Sequence, residues 1–169
     1  VFFLFVIAIL APLVAPTNPF DPASLNLMNG FTPPMTPNMF TGQSFVMGTD
    51  DQGRDLLSAI IYGLRVSLFV GVMSVLLAMG IGVSLGLVAG YVGGWLDNLI
   101  MRIADIQLTF PSILIAMLIF GVLRGIIPPD LRDEMAIFVL IAAIGLSEWV
   151  PFARTVRATT LVEKEKEYV

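Results

Sequence analysis

From Val66 to Gly90 the chain runs 25 residues without a charged side chain. A helix needs about 20 mainly apolar residues to cross a hydrocarbon layer, and lipid offers no water to an unpaired backbone group. This run therefore reads as a membrane-spanning helix, with Arg65 placed to snorkel at its mouth. Composition agrees: 57% of the residues are hydrophobic and 13% charged, against roughly 45–50% and about 25% in soluble domains. The expected fold class is all-α, a polytopic helical membrane protein.

Three other stretches approach spanning length, giving four spans. Residues 1–15 are apolar, with no charge before Asp21, and read as a truncated first span. A secretory signal peptide ranks second, because no basic n-region is visible and Pro12 interrupts the apolar run. The remaining spans are expected at about 66–90, 103–123 and 135–153, followed by a charged, cytoplasmic tail over 154–169. The chain starts at Val1 rather than Met and stops at Val169 within a charged run, so it is expected to be part of a longer polypeptide.

Residues 16–63 read as an external Pro-rich loop followed by an interfacial helix. Pro16, Pro19, Pro22, Pro33, Pro34 and Pro37 oppose both helix and sheet ladders. Met28, Met35, Met39 and Met47 fit irregular packing at the membrane rim better than a thioether metal site. Thr49-Asp50-Asp51-Gln52 has capping-box spacing, which predicts a short helix ending at Gly63. Its Leu56, Leu57, Ile60 and Ile61 share one face, and Arg54 lies within pairing distance of Asp50 and Asp51.

Within the spans, Gly82, Gly86 and Gly90, preceded by Ala78, form a small-residue stripe on which another helix can pack closely. Tyr91 to Trp95 reads as a turn with interfacial aromatics. Arg102 and Asp105 are three apart and read first as a local pair, with Asp105 as a cavity-lining acid second. Pro111 predicts a kink. Glu148 has two open readings: an intramembrane acid on a polar path, or an interfacial acid reaching water beside Trp149. Five basic residues lie on the side of Arg102 and the tail against four on the other, a weak positive-inside signal for a cytoplasmic tail.

With no Cys and no His, the chain lacks disulfides, Cys/His zinc sites and imidazole bases. No phosphate loop of the Gly-x-x-x-x-Gly-Lys-[Ser/Thr] type occurs, so ATP-driven work requires a partner. A formal charge of −4 without a basic stripe argues against nucleic acid. No catalytic residue, cofactor or metal is expected.

The order and spacing of several motifs carry a resemblance. Gly48-Thr49-Asp50, Gly53-Arg54-Asp55, Tyr62-Gly63, Arg65 and Ser67-Leu68 are followed by Gly90-Tyr91, Gly93-Gly94, Asp97, Met101-Arg102, Asp105 and Phe110-Pro111. Ala153-Arg154, Arg157 and Glu165-Lys166-Glu167-Tyr168-Val169 continue the pattern to the last residue. The whole resembles the C-type permease of binding-protein-dependent ABC importers for dipeptides, oligopeptides and nickel.

The resemblance implies a type I ABC importer transmembrane domain of six spans, four of them present here. It places the coupling helix and two further spans beyond Val169. It implies a non-catalytic transport subunit in a bacterial or archaeal plasma membrane, the inner membrane in Gram-negative cells. Its implied partners are a second permease in a heterodimer, two cytoplasmic ABC ATPases, an external solute-binding protein and the lipid bilayer. Peptides are the commonest substrate assignment, with nickel or another small solute behind. Arg154, Arg157, Glu163, Glu165, Lys166, Glu167 and Tyr168 become candidates for positioning the ATPase contact, with interfacial anchoring the other reading for the two arginines. Glu148 departs from the family pattern, which more often has a small or amide residue before the Trp. The alternative from another class is a secondary transporter or channel subunit using Asp105 and Glu148 as ion sites.

Overall fold

A computed structural model describes residues 2–22 and 25–166. Among the described residues seven α-helices follow in order: α1 (Phe2–Ile9), α2 (Ala11–Val14), α3 (Leu56–Val92), α4 (Gly94–Leu108), α5 (Ser112–Ile126), α6 (Arg132–Ser147) and α7 (Trp149–Lys164), with short 3-10 turns at Leu27–Asn29 and Pro129–Leu131. Among the described residues there is no strand; one isolated bridge joins Thr49 to Asp55. The helical membrane class expected from composition is therefore the observed one.

Among the described residues, α3 alone is long and apolar enough, by length and composition, to cross a membrane. The count becomes three when α4 with α5, bent by 98°, and α6 with α7, bent by 41°, each form one span. At eight residues α1 falls short of the about 20 a crossing needs, so the first of the four expected spans is not a spanning helix among the described residues. The chain divides into two compact units, Val1–Phe69 and Val70–Val169.

In the first unit the Pro-rich loop is a polar knot. Asn29, Thr32 and Thr49 are buried, and each is matched. The Thr49 hydroxyl donates to the Asn29 carbonyl and accepts from the Thr32 amide at 2.9 Å. The Asn38 side-chain amide donates to the Thr32 hydroxyl at 2.7 Å. Buried polar groups must be satisfied in this way, which lets a loop without regular structure hold one shape.

The expected interfacial helix does not form at Thr49, whose hydroxyl is committed to Asn29. Gly53 adopts φ +75°, and a Cβ there would lie 2.1 Å from the Asn26 carbonyl oxygen, so a tight turn occupies residues 50–53. The Asp50 carboxylate accepts from the amides of Gln52 and Arg54 at 2.9 and 2.8 Å. Among the described residues Arg54 forms no ion pair, and its buried Nε has no hydrogen-bond partner. The helix begins instead after Asp55, whose carboxylate accepts from the Ser58 amide at 3.1 Å and from its hydroxyl. It continues through Gly63 without a stop, merging the expected interfacial helix with the expected span.

Removing a side-chain cap costs about 0.5–2 kcal/mol. Asp55 is 4% exposed and also leaves the Ser58 hydroxyl without its acceptor when truncated. Asp55→Ala is expected to destabilise the first unit by about 1–2 kcal/mol, read as earlier hydrogen exchange at Ser58 and Ala59. Unchanged exchange there would remove the cap from the account.

In the second unit α3, α4 and α7 enclose a core of Ala89, Ile100, Ala104, Trp149, Val150 and Ala153. Gly82, Gly86 and Gly90 face Trp149, Ala153 and Arg157 in turn, so α3 and α7 run parallel. A parallel contact requires the intervening chain to return, and α4 with α5 supplies that return. Gly93 at φ +68° ends α3 and allows α4 to start at the next residue.

The two bends have proline causes. Phe110 precedes Pro111 and is thereby disfavoured in the helical region, which ends α4 and produces a break sharper than the expected kink. Pro151 lies in the first turn of α7 and has no amide hydrogen for the Ser147 carbonyl four residues earlier. The expected continuous span over 135–153 is therefore broken at Glu148.

Candidate functional site

The second unit concentrates its polar chemistry along α7. Each glycine of the stripe meets α7 at a distance that no side chain would permit. A Cβ on Gly82 would lie 2.5 Å from the Trp149 carbonyl oxygen, one on Gly86 2.5 Å from that of Ala153, and one on Gly90 2.7 Å from Thr160 Cβ. Small residues let backbones approach in this manner, and apolar attraction between helices is absent where the surroundings are themselves apolar. Ala78, 1% exposed, continues the stripe.

Opposite the stripe, α4 crosses α7 through two ion pairs. Arg157 grips Asp97 with Nε on one carboxylate oxygen and a terminal nitrogen on the other, the latter at 2.6 Å. Two parallel bonds to one carboxylate are the strong form of this contact, fixing orientation as well as distance. The side chains are 32% and 15% exposed, so the pair is only partly hydrated. Arg154 pairs with Asp105, and both are far more exposed. An open pair of that kind contributes little by itself.

The expected local pair of Arg102 with Asp105 does not form. Asp105 is taken by Arg154 from a different helix, and Arg102 is exposed without an ion-pair partner among the described residues. An i,i+3 contact contributes only about 0.2–0.5 kcal/mol, so tertiary proximity to α7 readily outcompetes it.

Beyond the ion pairs, the Lys164 ammonium donates to the Tyr91 carbonyl at 2.7 Å and lies 5.6 Å from the Tyr91 ring centre. This closes the parallel contact at the C-terminal ends of α3 and α7. Glu163 and Lys166 pair at three residues' separation, and Glu165 caps the end of α7. Glu167 and Tyr168 lie outside the described residues.

Glu148 is the residue shared by the end of α6 and the start of α7, and it is half-buried. Phe110 and Pro111 occupy the other break, while Gly93 and Gly94 form the α3–α4 turn. Asp50, Gly53, Arg54 and Asp55 all belong to the polar knot and cap of the first unit. Among the described residues no group of three or more His, Cys, Asp or Glu side chains is gathered as for a metal ion.

Gln107 escaped the sequence reading. Its side-chain nitrogen donates to the Ser147 carbonyl at 2.8 Å and to that of Leu146 at 3.3 Å, and its oxygen accepts from the Trp149 indole at 2.9 Å. The available signal was Pro151, which orphans the Ser147 carbonyl and so calls for a donor from elsewhere.

The described residues thus form a helical membrane protein with a glycine seam, two bent helix pairs and a charged helix end. Residues 82–169 match the family model "Binding-protein-dependent transport system inner membrane component", and the chain belongs to that family. The dipeptide transport system permease protein DppC of Haemophilus influenzae is 39% identical over 96% of this chain and 50% of its own length. The DppC of Bacillus subtilis is 39% identical over 99% of this chain and 46% of its own. The oligopeptide transport system permease protein OppC of B. subtilis is 35% identical over 98% and 49%. The chain thus spans about half the length of these curated relatives.

Proposed function

We propose that this chain is the membrane-spanning, non-catalytic permease subunit of an ATP-driven importer of di- or oligopeptides, delivered by an external binding protein. The observation that carries the reading is the 39% identity, over 96% of the chain, to a protein named as a dipeptide permease. Family membership and the helical bundle support it. The partners are a second permease, two cytoplasmic ABC ATPases and the binding protein, in a bacterial or archaeal plasma membrane, the inner membrane in Gram-negative cells.

Mechanistically, ATP shifts an equilibrium between inward- and outward-open states only as far as it favours one of them. Arg154, Arg157 and the run from Glu163 to Tyr168 are the residues assigned to positioning the ATPase contact. The two ion pairs support this, because they tie α7 to α4 and give a push on its end something rigid to move. An ion-site role for Asp105 has less support, since its charge is matched by Arg154.

The full-length tagged chain, purified from its own membrane, is expected to bring with it an ATPase pair and a second permease. ATP hydrolysis by that assembly should rise on addition of a peptide-loaded binding protein. A homo-oligomer that transports in an ion gradient without any ATPase would overturn this function.

A further inference from the structure

Two helix breaks and one side chain carry the inference, which rests on the importer reading above. The break between α4 and α5 falls at residues 109–111, and the break between α6 and α7 falls at Glu148. Gln107 stands within one turn of the first break and bonds to both sides of the second. On the α6 side it donates to the carbonyls of Ser147 and Leu146; on the α7 side it accepts from the Trp149 indole.

Pro151 explains why such a donor is needed. In an unbroken helix the Ser147 carbonyl would accept from residue 151, and proline has no hydrogen to give. An orphaned carbonyl within an apolar bundle costs free energy comparable to a lost hydrogen bond. A water molecule would satisfy it equally from any direction, whereas an amide on another helix satisfies it only while that helix stays in place. Trp149 is 7% exposed, so its indole N–H is similarly confined to the Gln107 oxygen. All three bonds therefore depend on where α4 sits along the α6–α7 joint.

We propose that Gln107 is a positioning residue of the transport cycle: it locks the α4–α5 break to the α6–α7 joint so that the two bends change together. Movement arriving along α7 then reaches α5 through the amide, and not only through the ion pairs further along. Glu148, at the joint itself, is the residue whose surroundings change as the bend opens or closes.

The test uses the full-length chain in its assembled complex with ATPases and binding protein, in lipid nanodiscs. Residues 1–169 contain no cysteine, so once any cysteines elsewhere in the assembly are replaced, spin labels can be added in pairs at exposed sites: Ile103 with Leu118 across the first break, Ile137 with Val162 across the second. In the unsubstituted protein both distances should shift at the same ATP concentration. In Gln107→Leu, which keeps volume but not bonding, the two shifts should separate in midpoint, and binding-protein-stimulated hydrolysis should fall about fivefold or more. Basal hydrolysis should stay within about twofold.

Trp149→Phe removes the indole donor alone and should give an intermediate separation, which keeps the test open if Gln107→Leu assembles poorly. Gln107→Glu keeps the acceptor for Trp149 and loses the donor to Ser147, so it too should separate the shifts. Coincident shifts in Trp149→Phe and in both Gln107 variants would overturn the inference and leave the importer reading intact. An unsubstituted complex that shows no ATP response across either break would overturn the inference alone, and a chain that recruits no ATPase would overturn both.

Discussion

Gly86→Leu is expected to be the most damaging single substitution in the second unit. The leucine Cβ would stand 2.5 Å from the Ala153 carbonyl oxygen and 3.0 Å from Val156 Cβ, with the rest of the side chain still to be placed. Backbone on one side and backbone on the other leaves no flexible group to move aside, so α3 and α7 must separate. Overpacking a close contact costs about 1–3 kcal/mol and sometimes more, and separation also exposes the Ala89, Ala104 and Ala153 core. The assembled complex should show a several-fold lower yield and an earlier thermal transition. Gly80→Leu is the matched control: it sits on the same helix with nothing within 4 Å of its Cβ. Equal yields for the two variants would show that volume at the seam does not matter.

Reversing the buried end of the α4–α7 contact is expected to have the next largest effect. Arg157→Glu replaces a bidentate grip with two facing carboxylates, one of them on the mostly buried Asp97. Loss of hydrogen bonds to a charged group costs about 1.5–3 kcal/mol, before counting the repulsion. Stimulated ATP hydrolysis by the assembled complex should fall sharply while the chain still reaches the membrane. The double variant Asp97→Arg with Arg157→Asp restores opposite charges and should recover a substantial part of the loss. Failure of the double variant to recover, with normal assembly, would assign Arg157 to a contact other than Asp97. The exposed pair offers a contrast, since Arg154→Gln should cost less than 1 kcal/mol, in line with about 0–1 kcal/mol for open pairs.

Local composition made some of this legible and long-range geometry hid the rest. The uncharged run at 66–90 identifies a span because membrane length is a property of contiguous sequence. The four-residue repeat of Gly82, Gly86 and Gly90 is equally visible, yet nothing in it says that α7 is what packs there. Sequence proximity suggested Arg102 for Asp105, whereas the actual partner lies 49 residues away. The capping box at Thr49 is visible in the sequence, but Gly53 needs a left-handed turn that a helix begun at Asp50 would not allow, and the cap that forms is Asp55. Pro151 was present to announce the break at Glu148, and its consequence, an unpaired Ser147 carbonyl, could be deduced without knowing that Gln107 would meet it.

The seam between α3 and α7 has one more property. Its closest contacts include the carbonyl oxygens of Trp149, Ala153 and Arg157, each facing a glycine that offers no side chain. The Cβ atoms of Phe152, Val156 and Thr160 seat in the same three gaps, so these side chains act as teeth that resist sliding along the helix axis. The tie of Lys164 to the Tyr91 carbonyl adds a polar stop at one end of the seam, while Arg157 on Asp97 holds α7 to α4. The seam is a toothed rail, and ionic strength, which leaves its apolar teeth untouched, acts on the ion pairs that tie α7 to α4.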